Sequence, residues 1–350
     1  MNKTEKSNVI RATLLCAILF EISTIQDEEV YVNYPLFVED AAKYSGKGLG
    51  RGKGIRKKRH IHHQRRSNYQ YFTEFPSLFQ KNTHLSQVQF DLIVEDIGDQ
   101  REYVLKKTNI LCLSYEDMVL LTLIWLVKYE SYSSLSLMFG VSEYVISITI
   151  NTMTEVLCAY FMRYIPNKQS STTQSSLSSH ILFVLDGTIH MRLRPQKSQH
   201  FWYNTHYEMH GMVTQLLVDF DGYIAAFETG FPGSMHDSTQ ANHSHTIRSA
   251  IGMNFALTDS AYSGLDFCVA GYKPSQLQED PNRVEFDRIS RREQKIVEHI
   301  NGFFKKCRTV SKKKAFEHSV PLHIRCVGMA CGLYNFRKAC GEFSVKKSEM

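Results

Sequence analysis

The heptapeptide ILFVLDG, Ile181 to Gly187, is a short apolar run that stops on an aspartate and a glycine. Its length and its Ile, Val and Phe content describe a buried β-strand rather than a helix. An aspartate at the end of a buried strand must be paired, hydrogen-bonded or bound to a cation, because its charge is costly to desolvate. The commoner fate of an Asp-Gly pair is a plain turn. Further acids downstream weigh against that reading of Asp186.

Those acids recur at element ends. Met209 to Phe220 and Tyr223 to Glu228 are two apolar runs separated by Asp221-Gly222, a strong hairpin signal. The turn-rich GFPGSMHDS (Gly230 to Ser238) leads into a helix-compatible stretch ending near Ala250. NFALT (Asn254 to Thr258) is a second short strand, again followed by an aspartate, Asp259. A loop holding Pro274 and Pro281 precedes a basic amphipathic helix over Arg291 to Lys306, with Glu298 among its apolar Ile296, Val297, Ile300 and Phe304. This order predicts an α/β unit, a mixed sheet flanked by helices. Asp186 and Asp259 converge only if their strands are parallel neighbours, and a helix crossing that edge adds Glu298. Three such carboxylates suit Mg²⁺ or Mn²⁺, which take oxygen ligands.

Upstream, Leu113 to Phe161 reads as three helices. Tyr115 to Tyr129 is followed by Ser133 to Phe139, a tight Gly140-Val141-Ser142 turn and a longer helix with Ile146, Ile150, Met153, Leu157 and Phe161 on one face. This is a helix-turn-helix layout. An ordinary three-helix packing unit fits nearly as well, since the start of the third helix (Glu143, Tyr144, Ser147) offers no basic residue for base reading. PNKQSSTTQSSLSSH, residues 166–180, reads as a Ser/Thr-rich linker. The expected organisation is therefore 1–70, an N-terminal helix and flexible basic arm; 71–165, a helical region with the helix-turn-helix; 166–180, the linker; and 181–340, the α/β unit.

The 350 residues are 43% hydrophobic and 12% aromatic, which excludes wholesale disorder. The net charge of +6 is moderate, but nine of the Lys and Arg residues crowd Lys47 to Arg66, with four glycines and no acid. That block, with Arg56, Lys57, Lys58 and Arg59 at its centre, cannot pack and reads as an arm for DNA phosphates, nuclear import or both. None of the eight cysteines forms a CxxC pair, so reduced thiols are expected. No apolar run is expected to cross a membrane. The apolar stretch Val9 to Ile22 is interrupted by Arg11 and reads as an amphipathic helix rather than a signal sequence.

DGT at 186–188, PGSMHDS at 232–238, TDSAY at 258–262 and IVEHINGFFKK at 296–306 resemble, in that order, the motifs of the DDE superfamily of transposase nucleases, most closely its Harbinger-type branch. The resemblance covers roughly 181–340. It implies an RNase H-like catalytic domain in which Asp186, Asp259 and Glu298 are the catalytic, metal-binding triad and Asp237 is a further metal carboxylate. The chain differs from the family pattern at Gln294, where arginine is usual, and at Thr258, where glycine is common; neither change removes a ligand. The implied function is metal-dependent hydrolysis of DNA phosphodiesters, with a catalytically silent, domesticated binding module as the alternative. DNA is the implied partner, held by Lys305, Lys306, Arg308, Lys312, Lys313 and the basic arm. A Myb/SANT-like partner protein, assembly as a homo-oligomer on DNA, no membrane association, and a location in the nucleus, with the cytoplasm second, complete the expectations. His236 is expected to support the site rather than ligate, and His206 and His210 to pack. His200 to Tyr203 is expected either to stack on bases or to form an apolar lid.

Overall fold

The computed structural model describes residues 67–166, 173–277 and 280–341. The basic arm, with Arg56, Lys57, Lys58 and Arg59, the apolar stretch at 9–22 and residues 167–172 of the Ser/Thr-rich segment lie outside them.

The chain enters through four short helices, α1 (Asn68–Thr73), α2 (Pro76–Thr83), α3 (Gln87–Asp96) and α4 (Arg101–Thr108), then α5 (Tyr115–Lys128), α6 (Tyr132–Phe139) and α7 (Glu143–Phe161). Serine starts five of these: the Oγ of Ser67, Ser86, Ser114, Ser131 and Ser142 each accepts a bond from a backbone N–H in the first turn. Such caps satisfy donors that no helical carbonyl can reach. Gly140, in the left-handed region at φ 63°, ends α6 at the expected turn. The segment Glu143–Tyr164 is long and apolar enough to cross a membrane by length and composition, which corrects the expectation that no run is. The apolarity serves packing here, because α7 lies against α5 and the C-terminal helix and most of that stretch is buried.

The remainder is a mixed sheet with helices. Its strands are β1 (Ile181–Met191), β2 (Tyr203–Asn204), β3 (Met209–Asp219), β4 (Ile224–Pro232), β5 (Phe255–Thr258) and β6 (Cys268–Ala270). Interleaved helices are α8 (Gln199–Trp202), α9 (Asp237–His243), α10 (His245–Ile251), α11 (Pro274–Leu277), α12 (Pro281–Phe304) and α13 (Val320–Ala339). Strand order is β2-β3-β1-β5-β6, with β4 also on β3. β1, β3 and β4 are antiparallel neighbours, and the β3–β4 hairpin turns at Asp221-Gly222 as its sequence predicts. β1 and β5 run parallel, Val184 opposite Leu257, and β6 continues the parallel side. On one face Phe183 and Leu185 pack with Ala241, Ile247 and Ile251 of the α9–α10 pair. On the other lie α12 and α13. A Cβ at Gly332 of α13 would collide with the backbone of Phe161, so the glycine is what lets α7 cross so closely.

Two expectations need correcting. Asp186-Gly187 does not end a strand. β1 runs on to Met191, because β3 offers it an unbroken antiparallel partner as far as Gly211. The proline at 281 is not in a loop but at the first turn of α12, where its missing N–H costs nothing; the Asp280 carboxylate caps that helix by accepting from Asn282 N–H at 2.8 Å. The serines at the end of the 166–180 segment are tied to α12, Ser175 and Ser176 both donating to the Glu293 carboxylate.

Candidate active site

Alternation along β1 decides where its central residues face. Phe183 and Leu185 face α9–α10, so Gly187 does too, and Asp186 turns toward α12. There Asn301 donates from Nδ2 to Asp186 Oδ2 at 2.9 Å. Burial first, then the charges of Asp259 and Asp237, push the Asp186 carboxyl up to about 7; the Gly187 N–H and Lys305 oppose them.

Asp259 lies two residues beyond Leu257 on β5, as Asp186 lies two beyond Val184 on β1. The parallel pairing thus sets Asp186, in the middle of β1, beside Asp259, just past the end of β5. Asp259 is exposed and accepts from Ala261 N–H at 2.9 Å, capping the short turn Ser260–Tyr262. Asp237, the first residue of α9, sits over Gly187 so closely that a Cβ there would lie 2.5 Å from its Oδ1. Burial, then Asp259, raises its carboxyl; the Gln215 amide, His236 and His206 work against the rise. His236 and His206 are therefore close enough to Asp237 to act on its charge.

Gln215 organises this corner. It pairs with Gly187 in register across β3 and is fully buried. Its Nε2 donates to Gln240 Oε1 at 2.9 Å and, more weakly, to Asp237 Oδ1 at 3.4 Å, while its Oε1 accepts from Tyr262 OH at 2.7 Å. Gln294, at the position where the sequence departs from the resembled pattern, donates to Thr258 O at 2.6 Å and so fixes the strand end just before Asp259. Glu298 shares α12 with Asn301 but is exposed and makes no side-chain hydrogen bond or ion pair among the described residues. Sequence reasoning missed Asn301, Gln215 and Tyr262. An amide inside the apolar run MVTQLLV was the signal for Gln215, and helical spacing of three from Glu298 was the signal for Asn301.

Basic residues flank the acids. Lys305 is driven down to about 8, by burial and then Lys312, against the pull of Asp186. Lys312 lies 3.5 Å from the centre of the Tyr207 ring, whose own hydroxyl is raised by burial and by the Asp186, Asp237 and Asp259 charges. Lys306 sits over Phe303, and Arg308 and Lys313 follow on the exposed C-terminal side of α12. Lys314 instead donates to Tyr129 O at 2.6 Å. His190 is a buried structural residue, its ring nitrogens bonded to Val310 O and Thr214 Oγ1.

Among the described residues no three Asp, Glu, His or Cys side chains are gathered tightly enough to hold an ion together. The donor chemistry nonetheless fits a hard divalent cation. Asp186, Asp237 and Asp259 repel one another, and the buried Asn301 Oδ1 has no hydrogen-bond partner. Oxygens held against mutual repulsion are what such a cation relieves.

No curated protein and no solved structure matches the chain. Residues 185–335, from the strand position before Asp186 to Asn335 in α13, match the model of a family described as DDE superfamily endonuclease.

Proposed function

We propose that the chain is a metal-dependent DNA endonuclease or transposase of Harbinger type, built on an RNase H-like sheet. The observation that carries this is that Asp186, in the middle of β1, and Asp259, just past the end of the parallel β5, lie close enough with Asp237 beside Gly187 for their charges to act on one another. The matched family supports the same reaction class. Asp186, Asp237 and Asp259 would hold Mg²⁺ or Mn²⁺, with Glu298 closing the site from α12. Bound there, a pair of ions supplies an activated water and neutralises the leaving oxygen. The chain's own contribution is to keep the carboxylates close: Gly187 makes room for Asp237, Gln215 steadies it and Asn301 orients Asp186. Lys305 and Lys312 place positive charge beside the acids, where a phosphodiester brings negative charge. Nuclear location, assembly on DNA and a Myb/SANT-like partner belong to this same reading.

One observation favours the silent binding module instead: Asn301, not Glu298, occupies Asp186. Nicking of supercoiled plasmid by the full chain with Mg²⁺ or Mn²⁺, set against Asp186→Ala and Glu298→Ala, separates the two. Metal-dependent nicking lost in both variants supports the nuclease. Absence of nicking by the wild type, with DNA binding intact, supports the module.

A further inference from the structure

A cavity of about 600 Å³ opens where the first helices meet the end of α12. Its walls come from two distant parts of the sequence: Lys81 and His84 at the end of α2 and Lys128 at the end of α5, facing Lys305, Lys306 and Lys312. Arg308, Lys313 and the uncharged Val127, Gly302 and Ser311 complete the lining, and no carboxylate does. A second cavity of about 370 Å³ shares Lys81, His84 and Lys306 and continues to Arg337. The pair form one basic track.

Bringing these cations together is unfavourable in the free protein. Lys128 is lowered by burial, then by Arg308 and Lys81, with only Glu130 opposing. The His84 imidazole falls to about 4 through burial and the charges of Arg337, Lys128 and Lys306, so it stays neutral. His84 also holds a left-handed backbone at φ 60°. Repulsion of this kind is relieved by a polyanion. One end of the track is fixed by Lys305 and Lys312, both of which feel the charge of Asp186. An anion lying in it therefore ends beside the carboxylates.

We propose that this track, including Lys81, His84 and Lys128 of the helical segment, binds the sugar-phosphate backbone of the DNA strand whose reacting phosphate lies at Asp186. The proposal rests on the DNA-cutting reading above and makes the helices part of the substrate site. Phosphate contacts of this type position a duplex without reading its sequence, so the helical segment grips DNA through α2 and α5 rather than through the start of α7.

The test is fluorescence anisotropy of the full chain with a labelled duplex in EDTA, across 50–200 mM salt. Each phosphate contact contributes about 0.9 to the slope of log K against log salt, which is roughly eightfold in affinity at 0.1 M. Lys81→Gln with Lys128→Gln is expected to flatten the slope by about 1.8. Lys81→Gln alone, at an exposed position, flattens it by about 0.9 and guards against misfolding of the double variant. Lys106→Gln with Arg288→Gln, two exposed cations paired with Glu102 and Glu285 away from the track, should leave it unchanged. Groove variants with the wild-type slope, or controls that fall equally, overturn the proposal. So does tight, stoichiometric pyrophosphate binding that the groove variants abolish while the DNA slope stands, since the ligand is then a small polyanion. Binding in chelator is independent of cleavage: a flattened slope without any nicking by the wild type keeps the track and rejects the nuclease.

Discussion

Asp186 is held ionised at a cost, and removing its charge should stabilise the metal-free protein. Its carboxyl sits near 7 in the folded state against an ordinary 3.8. The folded state therefore binds the proton more tightly than the unfolded one, and folding is favoured as pH falls. Above pH 7 the penalty is complete, about 4 kcal/mol from three units at 1.36 kcal/mol each. Roughly 2.5 kcal/mol of it disappears between pH 8 and pH 5, and the rest below pH 5. Asp186→Asn keeps the shape and accepts from Asn301 through its amide oxygen, but has no charge to lose. Urea melts in EDTA should show the variant more stable than wild type at pH 8, with the gap closing by about 2.5 kcal/mol at pH 5. Asp219, raised to about 6, titrates in both proteins and cancels in the difference. Saturating Mg²⁺ should reverse the order, since only the wild type retains the Asp186 carboxylate. A variant no more stable than wild type at pH 8, or a gap that does not move with pH, refutes the account of Asp186 as a strained carboxylate.

Other perturbations test the scaffold. Gly187→Ala would place a Cβ 2.5 Å from Asp237 Oδ1 and 3.1 Å from Gln215 Nε2; overpacking of this kind costs about 1–3 kcal/mol, read as a lower Tm, with plasmid nicking falling further than stability explains because Asp237 is displaced. Gln215→Leu strands the Tyr262 hydroxyl and the Gln240 carbonyl oxygen in the core, and thermal denaturation should show a loss of about 2–3 kcal/mol. Glu298→Ala removes an exposed side chain without described partners, so its stability should change by no more than about 0.5 kcal/mol; nicking lost without a Tm change then reports chemistry rather than folding.

Local chemistry was readable and crowding was not. The turns at Gly140-Val141-Ser142 and Asp221-Gly222 and the apolar runs are written in neighbouring residues, and the structure repeats them. The convergence of Asp186 and Asp259 was legible as a condition, that their strands run side by side in one direction, and the sheet meets it. The fate of Gly187 was not, because Asp-Gly after an apolar run has the local grammar of a turn. What overrides it is the distant β3, which pairs with β1 past Gly187 as far as Gly211, while the missing side chain makes room for Asp237, fifty residues on. Pro281 misled in the same way: a breaker by local rule becomes a helix starter once Asp280 is free to cap. Asn301 was hidden for a different reason. Its role depends on which face of a 24-residue helix meets β1, and the apolar Val297 and Ile300 mark that face only to within one turn. Within that latitude Glu298 and Asn301 compete for Asp186. The amide of Asn301 is the one that reaches Asp186, and Glu298, one turn earlier on the same helix, is left exposed.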